Sequence, residues 1–264
     1  MTVAARTVAP PAEGQAAVAP IIVLAPAYSG AGALRSLLAG HPDLACTMGT
    51  GLLPLCQQAM ATWGQADRRP GHPPSSLART TTRALVGSVM TSILIREGRS
   101  RWCEVAAANP EGAEAFLQLY PGARFLCLYR ACPAVIRAAL DENPWGLADP
   151  VLTPFTRAYP ASTVASLTAC WVAQASALLG FEQAHPEACL RIRFEDLTAD
   201  PPAAVDRLTS FLGLARPAAG PPIPGPPVPS PVAGPPDGLI PPALRAQADD
   251  LLGQLGYPPM TPRE

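Results

Sequence analysis

The 264 residues include 34 Pro and 21 Gly, carry only 15% charged residues against 48% hydrophobic ones, and sum to a formal net charge of −1. Those numbers exclude a chain too polar to build a core and a basic nucleic-acid binder. All 19 basic residues are Arg and none is Lys, which excludes a lysine base, a Schiff base or a lysine phosphate clamp.

The stretch 1–20 is Ala/Pro-rich, contains Glu13 and lacks a long apolar block. It reads as a loose tail and not as a signal peptide. Ile21 to Leu24 is a short, largely β-branched run, the pattern of a buried parallel strand. It runs into the small-residue loop Ala25 to Gly32, and Ala33 to Ala39 follows as a helix stopped by Gly40-His41-Pro42. Leu85, Val86, Val89, Met90, Ile93 and Leu94 keep a helical stripe. Trp102 to Ala106 predicts a short strand, Gly112 to Leu119 a helix, Arg124 to Tyr129 a second buried strand and Cys132 to Asp141 a helix. Val164, Leu167, Trp171 and Leu178 mark a long helix, and Leu190 to Phe194 a strand. Asp200 as N-cap and Pro201 in the first turn open a helix through Phe211. The Pro-rich stretch 216–242 leaves no room for helix or central strand and reads as an extended connector. An amphipathic helix over 243–255 closes the chain.

Strands alternating with helices predict an α/β fold, a parallel sheet flanked by helices, in a single domain over 21–264. No apolar run approaches the roughly 18–20 residues of a membrane span, so no membrane association is expected. The seven Cys are odd in number and lack C-x-x-C spacing, which predicts free thiols inside a cytoplasmic protein. The three His are scattered, and no metal site is expected.

The strand–loop–helix opening is a phosphate-site geometry, because a helix start offers free N–H groups and a positive dipole end to an anion. It lacks both G-x-x-x-x-G-K-[ST] and G-x-G-x-x-G. Further along, Arg191-Ile-Arg-Phe-Glu195-Asp196-Leu-Thr-Ala-Asp200-Pro201, followed by Phe211-Leu-Gly-Leu214, resembles the C-terminal signature of sulfotransferases that use 3′-phosphoadenosine 5′-phosphosulfate (PAPS). Ser29-Gly30 with Leu34, Leu37-Leu38 and His41-Pro42 is similar to that family's 5′-phosphosulfate loop and first helix. Phe125 to Val135 is similar to its 3′-phosphate strand and turn. Trp171 and Leu251 to Tyr257 resemble a family helix Trp and the family's closing helix. The resemblance implies a P-loop-like sulfotransferase fold.

The departures from the family pattern fall on the chemistry. The loop cation that would face the sulfonate is replaced by Tyr28, which supplies one neutral hydrogen bond and no charge. The hydroxyl residue at the helix start is replaced by Gly32. Arg130 is kept in the second motif, whereas the Ser expected eight residues on is Ala138. A Lys-Thr-Pro-like stretch reads Glu104-Val-Ala-Ala107, and no basic residue lies between Arg216 and Arg245, where the family has a basic loop. Charge-assisted bonds contribute roughly 1.5–3 kcal/mol each. Losing several of them costs about 5 kcal/mol or more, or about three to four decades in affinity.

Two readings follow. In the first, the chain has a degenerate donor site, holds no cofactor and serves as a non-catalytic partner of a homologous, competent sulfotransferase, in a hetero-oligomer or a homodimer, in bacterial natural-product biosynthesis. In the second, it is an active sulfotransferase that moves a sulfonate from PAPS to a hydroxyl or amine. Residual donor contacts are then expected from Tyr28, Ser29, Gly30, Ala31, Gly32 and Arg130, with Glu142 the candidate general base. Arg130 either holds a phosphate or pairs with a carboxylate. Glu195 and Asp196 are expected to cap and pair within the fold, and His41 to be structural. Asp141, Glu142 and Trp145 follow the second motif, where substrate approaches in the family.

Overall fold

The fully apolar run Ile21–Ala25 forms the central strand β1, buried along its whole length. The computed structural model describes residues 19–66, 75–143, 146, 149–216 and 238–260. Residues 1–18 of the expected N-terminal tail, Trp145 and residues 217–237 of the expected Pro-rich connector lie outside the described residues.

Four more strands join β1: β2 (Leu44–Met48), β3 (Arg101–Ala107), β4 (Arg124–Tyr129) and β5 (Cys189–Arg193). All pairings are parallel, in the order β2-β3-β1-β4-β5. The helices are α1 (Ala31–Ala39), α2 (Leu52–Ala66), α3 (Ser75–Glu97), α4 (Pro110–Leu119), α5 (Cys132–Glu142), α6 (Thr153–Ala158), α7 (Thr163–Ala184), α8 (Phe194–Ala199), α9 (Pro201–Leu212) and α10 (Pro242–Gln254).

Strand period divides the core in two. Ile21, Val23, Cys103, Val105, Leu126, Leu128 and Ile192 face one side and meet α1 and α9 through Leu34, Leu37, Leu38 and Leu208. Ile22, Leu24, Trp102, Phe125, Cys127 and Tyr129 face the other, covered by residues of α2, α3, α4, α5, α7 and α10. This is the doubly wound α/β arrangement expected from the alternating pattern. The order reverses between β1 and β4, which makes their C-terminal ends the switch point where such sheets open a crevice.

Differences from the sequence reading are local. The edge strand β2 escaped it because Leu-Ala-Cys-Thr-Met is short and ends on the exposed Met48. Helix α2 follows it after the turn Gly49-Thr50-Gly51, and α6 and α8 are short helices of six residues each. The strand expected to include Phe194 ends at Arg193, and Phe194 opens α8. The closing helix falls at Pro242–Gln254, within a residue of expectation. Asp200 caps α9 as expected, accepting from the Ala203 N–H at 3.0 Å.

Helix α7 differs from the expectation that no run is apolar enough to span a membrane. Its length and a mean hydropathy of 1.5 over 18 residues suffice, but 56% of that stretch is buried inside the protein, where it serves as a core helix.

Two polar residues fasten the opposite end of the sheet. Arg101, 6% exposed, donates from Nε to the Ala19 carbonyl at 2.7 Å and from Nη1 to the Leu212 carbonyl at the end of α9. Burial pulls its guanidinium below the ordinary arginine value. His41 accepts the Asp43 N–H at Nδ1 (3.1 Å), which leaves Nε2 to donate to the Ala215 carbonyl at 2.8 Å. Arg101→Met is expected to lower stability by about 2–3 kcal/mol, since it strands two carbonyls that accept from a charged donor. Urea unfolding checks this; an unchanged midpoint would remove Arg101 from the account.

Candidate functional site

Pro26 to Gly30 turn the chain from β1 into α1 at the switch point. Ser29 is 1% exposed, and its hydroxyl donates to the Pro26 carbonyl at 2.6 Å. The hydroxyl proton is therefore engaged within the turn. Gly30 occupies the N-cap of α1 with φ +92° and no side-chain cap. The N–H groups of Ala31 and Gly32, in the first turn of the helix, have no carbonyl one turn back within α1 to bond. This is an anion cradle built from backbone alone. A Cβ on Gly32 would meet nothing within 4 Å, so the site has room for the hydroxyl residue it lacks.

Tyr28 is the one non-glycine residue with positive φ (+59°) among the described residues. Its phenol oxygen accepts from Asn143 Nδ2 at 3.2 Å. Burial, opposed by that hydrogen bond and reinforced by Asp149 and Glu142, raises its pKa. The phenol is thus neutral, with carboxylates rather than cations as its charged neighbours.

Arg130 follows β4 and reaches the same turn. Its Nη1 donates to the Tyr28 carbonyl at 3.1 Å, and its guanidinium lies 4.6 Å from the centroid of the Phe194 ring, a cation–π distance. Its Nε is buried with no protein partner. Burial lowers the pKa of the guanidinium, and Glu195, Glu142 and Tyr257 oppose that shift. The Trp171 indole fixes the backbone by donating to the Arg130 carbonyl at 3.0 Å. Of the two alternatives read from sequence, the carboxylate pair is not among the ion pairs of the described residues, and the buried Nε keeps a free donor. The side chain is stacked and held by a carbonyl.

Phe194 is the element that the sequence reading missed. Its ring carbons lie 2.2 and 2.3 Å from where a Gly30 Cβ would stand, so the ring is sandwiched between the Gly30 turn and Arg130. The only sequence signal was an aromatic between Arg193 and Glu195 in the C-terminal signature. Glu195 is structural, as expected: Oε1 accepts the Ala131 N–H at 3.0 Å and Oε2 accepts the Tyr257 hydroxyl at 2.8 Å. Glu142 ends α5, exposed at the same mouth.

A second polar group missed from sequence sits beside the mouth. Glu104 is 1% exposed. Its carboxylate accepts from the Thr47 hydroxyl, the Thr50 N–H at 2.8 Å and the Thr50 hydroxyl at 3.0 Å. The Trp102 indole adds a donor to Thr47 at 2.8 Å. The network pins the turn Gly49-Thr50-Gly51, whose glycines both have positive φ. Its neighbour Val105, where the family would place a base, is 2% exposed and packs into the core beneath α1. Glu104→Ala is expected to cost about 2–4 kcal/mol, because it leaves the part-buried Thr50 N–H and hydroxyl donors without their acceptor. Thermal unfolding measures this, and a change below about 1 kcal/mol would contradict the network's role.

The model of the sulfotransferase family matches residues 20–218. A Caenorhabditis briggsae protein named "Putative protein-tyrosine sulfotransferase" is 25% identical over 188 residues, covering 70% of this chain and 62% of that protein. The Caenorhabditis elegans protein of the same name is 24% identical over 183 residues, covering 69% and 65%. The chain thus spans less than two thirds of the length of either relative. Among solved structures, the sulfotransferase from Alicyclobacillus acidocaldarius superposes with a TM-score of 0.56 at 16% identity, covering 90% of this chain and 96% of that one. The sulfotransferase domain from the curacin biosynthetic pathway gives 0.52 at 16% identity, covering 76% and 75%. At these identities the structural likeness establishes the fold.

Proposed function

From the premise that the chain belongs to the sulfotransferase family, we propose that it is a non-catalytic member, a partner subunit of a competent homologous sulfotransferase in bacterial natural-product biosynthesis. The observation that carries the reading is Tyr28: the loop position that should present a cation to the transferring sulfonate presents a neutral phenol bonded to Asn143. Sulfonate transfer builds negative charge on the bridging oxygen, and removing a preorganised cation there costs roughly 3 kcal/mol or more of transition-state stabilisation. Val105 faces the core and supplies no replacement. The fold is kept while the loop cation and the helix-start hydroxyl of the family pattern are replaced by Tyr28 and Gly32, which suits a scaffold that stabilises a partner or completes its acceptor pocket.

The backbone cradle at Ala31 and Gly32 together with Arg130 supports a second reading, an active sulfotransferase with a remodelled site. There an acceptor hydroxyl or amine attacks sulfur in line, the bridging oxygen leaves on the nucleotide, and Glu142 takes the proton. The names of the nematode relatives point this version towards a tyrosine hydroxyl, and the curacin domain towards a biosynthetic intermediate. Co-expression with a homologous sulfotransferase that keeps an intact donor loop separates the two. The partner reading expects a stable heteromer with sulfonate transfer by the pair and none by this chain alone; turnover by the isolated chain would overturn it.

A further inference from the structure

All seven cysteines are free thiols, six of them buried and Cys46 half-buried. Cys46 and Cys103 are direct register partners across the parallel pair β2–β3. Both side chains lie on the α1 side of the sheet, Cys103 inside that core cluster and Cys46 packed against it. Neighbouring strands run about 4.8 Å apart, which falls within the 4.4–6.8 Å span of Cα atoms joined by a disulfide. β2 ends the sheet, so Cys46 is on an edge that reagents reach from outside.

We propose that Cys46 and Cys103 are a peroxide-sensitive thiol pair that closes to a reversible disulfide, clasping the edge strand β2 to β3. The Cys46 thiolate attacks a peroxide oxygen, forming a sulfenic acid and releasing hydroxide. The Cys103 thiol then attacks that sulfur, the S–S bond forms, and the sulfenic oxygen leaves as water. Two thiols are oxidised and one hydrogen peroxide becomes two waters.

Exposure sets the order of attack, since Cys46 is half-buried on the edge strand and Cys103 is buried. A hydrogen bond from Cys103 is the largest influence lowering the Cys46 pKa, and Arg35 and Arg99 assist against burial. That hydrogen bond and burial push Cys103 the other way. The more accessible Cys46 is the nucleophile and the buried Cys103 the resolving thiol. The other neighbouring pair, Cys127 and Cys189, lacks these features. In the β4–β5 register Cys189 faces Phe125, two residues from Cys127. Both are buried, and Cys127 is pushed up by its hydrogen bond to Cys189 and by burial. This pair is the internal control. Closing the clasp would fix β2 just ahead of the turn that Glu104 pins at the cleft mouth.

Hydrogen peroxide treatment of the purified full chain, followed by mass spectrometry under non-reducing conditions, tests the proposal. The expected result is loss of two hydrogens per chain, a Cys46–Cys103 linked peptide, and full reversal by dithiothreitol. Cys103→Ser is expected to stop the reaction at the sulfenic acid, with a dimedone adduct at Cys46, while Cys127→Ser keeps the link. A link through Cys127 and Cys189, an intermolecular Cys46 dimer, or no link in the wild-type chain would overturn it. The wild-type peptide map decides even if a variant does not fold.

Discussion

Gly30→Ala is expected to destabilise the protein by about 3 kcal/mol or more, combining two effects at one Cβ. A φ of +92° is one that L side chains rarely adopt, with a penalty of about 1–2 kcal/mol. The new methyl would also stand 2.2 Å from a carbon of the Phe194 ring. That ring is only 7% exposed and carries the Arg130 guanidinium on its face, so yielding disturbs the cation as well. Overpacking of this kind costs about 1–3 kcal/mol. Urea unfolding of Gly30→Ala, Phe194→Leu and the double variant checks the mechanism. The double variant should recover a large part of the clash and leave the backbone penalty. Purely additive effects would show that Phe194 does not bear on Gly30.

Tyr28→Arg combined with Gly32→Thr has the largest expected effect on ligand binding. Arg at residue 28 returns a fixed cation to the turn, and Thr at residue 32 enters open space with a hydroxyl at the helix start. The backbone at residue 28 keeps its positive φ, so the variant does not change which strain is present. Each restored charge-assisted bond contributes about 1.5–3 kcal/mol, or about one to two decades in affinity. The double variant should therefore bind PAPS about a hundredfold or more tighter than the parent chain. Calorimetry reads this directly. A correctly folded double variant with no gain would show that the two positions are not where donor affinity was lost.

Much of the fold was legible because its signals are local. The apolar run Ile21–Ala25, the buried stretch Arg124–Tyr129 and the Asp200-Pro201 helix start are each written in consecutive residues. β2 was not legible, since it buries only Leu44 and Ala45, one on each face of the sheet, and leaves Met48 exposed. The site was half legible. The positions of Tyr28, Gly32 and Arg130 followed from motif order, and the departures at Tyr28 and Gly32 were visible residue by residue. What the sequence could not convey was how distant residues meet. Phe194 fills the space beside Gly30, Glu104 gathers Thr47 and Thr50, and Glu195 joins Ala131 to Tyr257. These contacts join residues far apart in the chain and are set by the sheet order, which brings together the ends of β1, β4 and β5 on one side and of β2 and β3 on the other.

The absence of lysine acquires a specific meaning at this site. Arg serves elsewhere in place of Lys, fastening the sheet through Arg101 and stacking at Arg130. Neither cation stands at Tyr28 or Val105, where the resemblance to the family places one. Loss of donor binding is the central claim, and a calorimetric titration of the purified chain with PAPS tests it most directly. The account predicts no detectable binding at millimolar donor. Micromolar affinity that disappears in Arg130→Ala would contradict it and restore the chain to the active sulfotransferases.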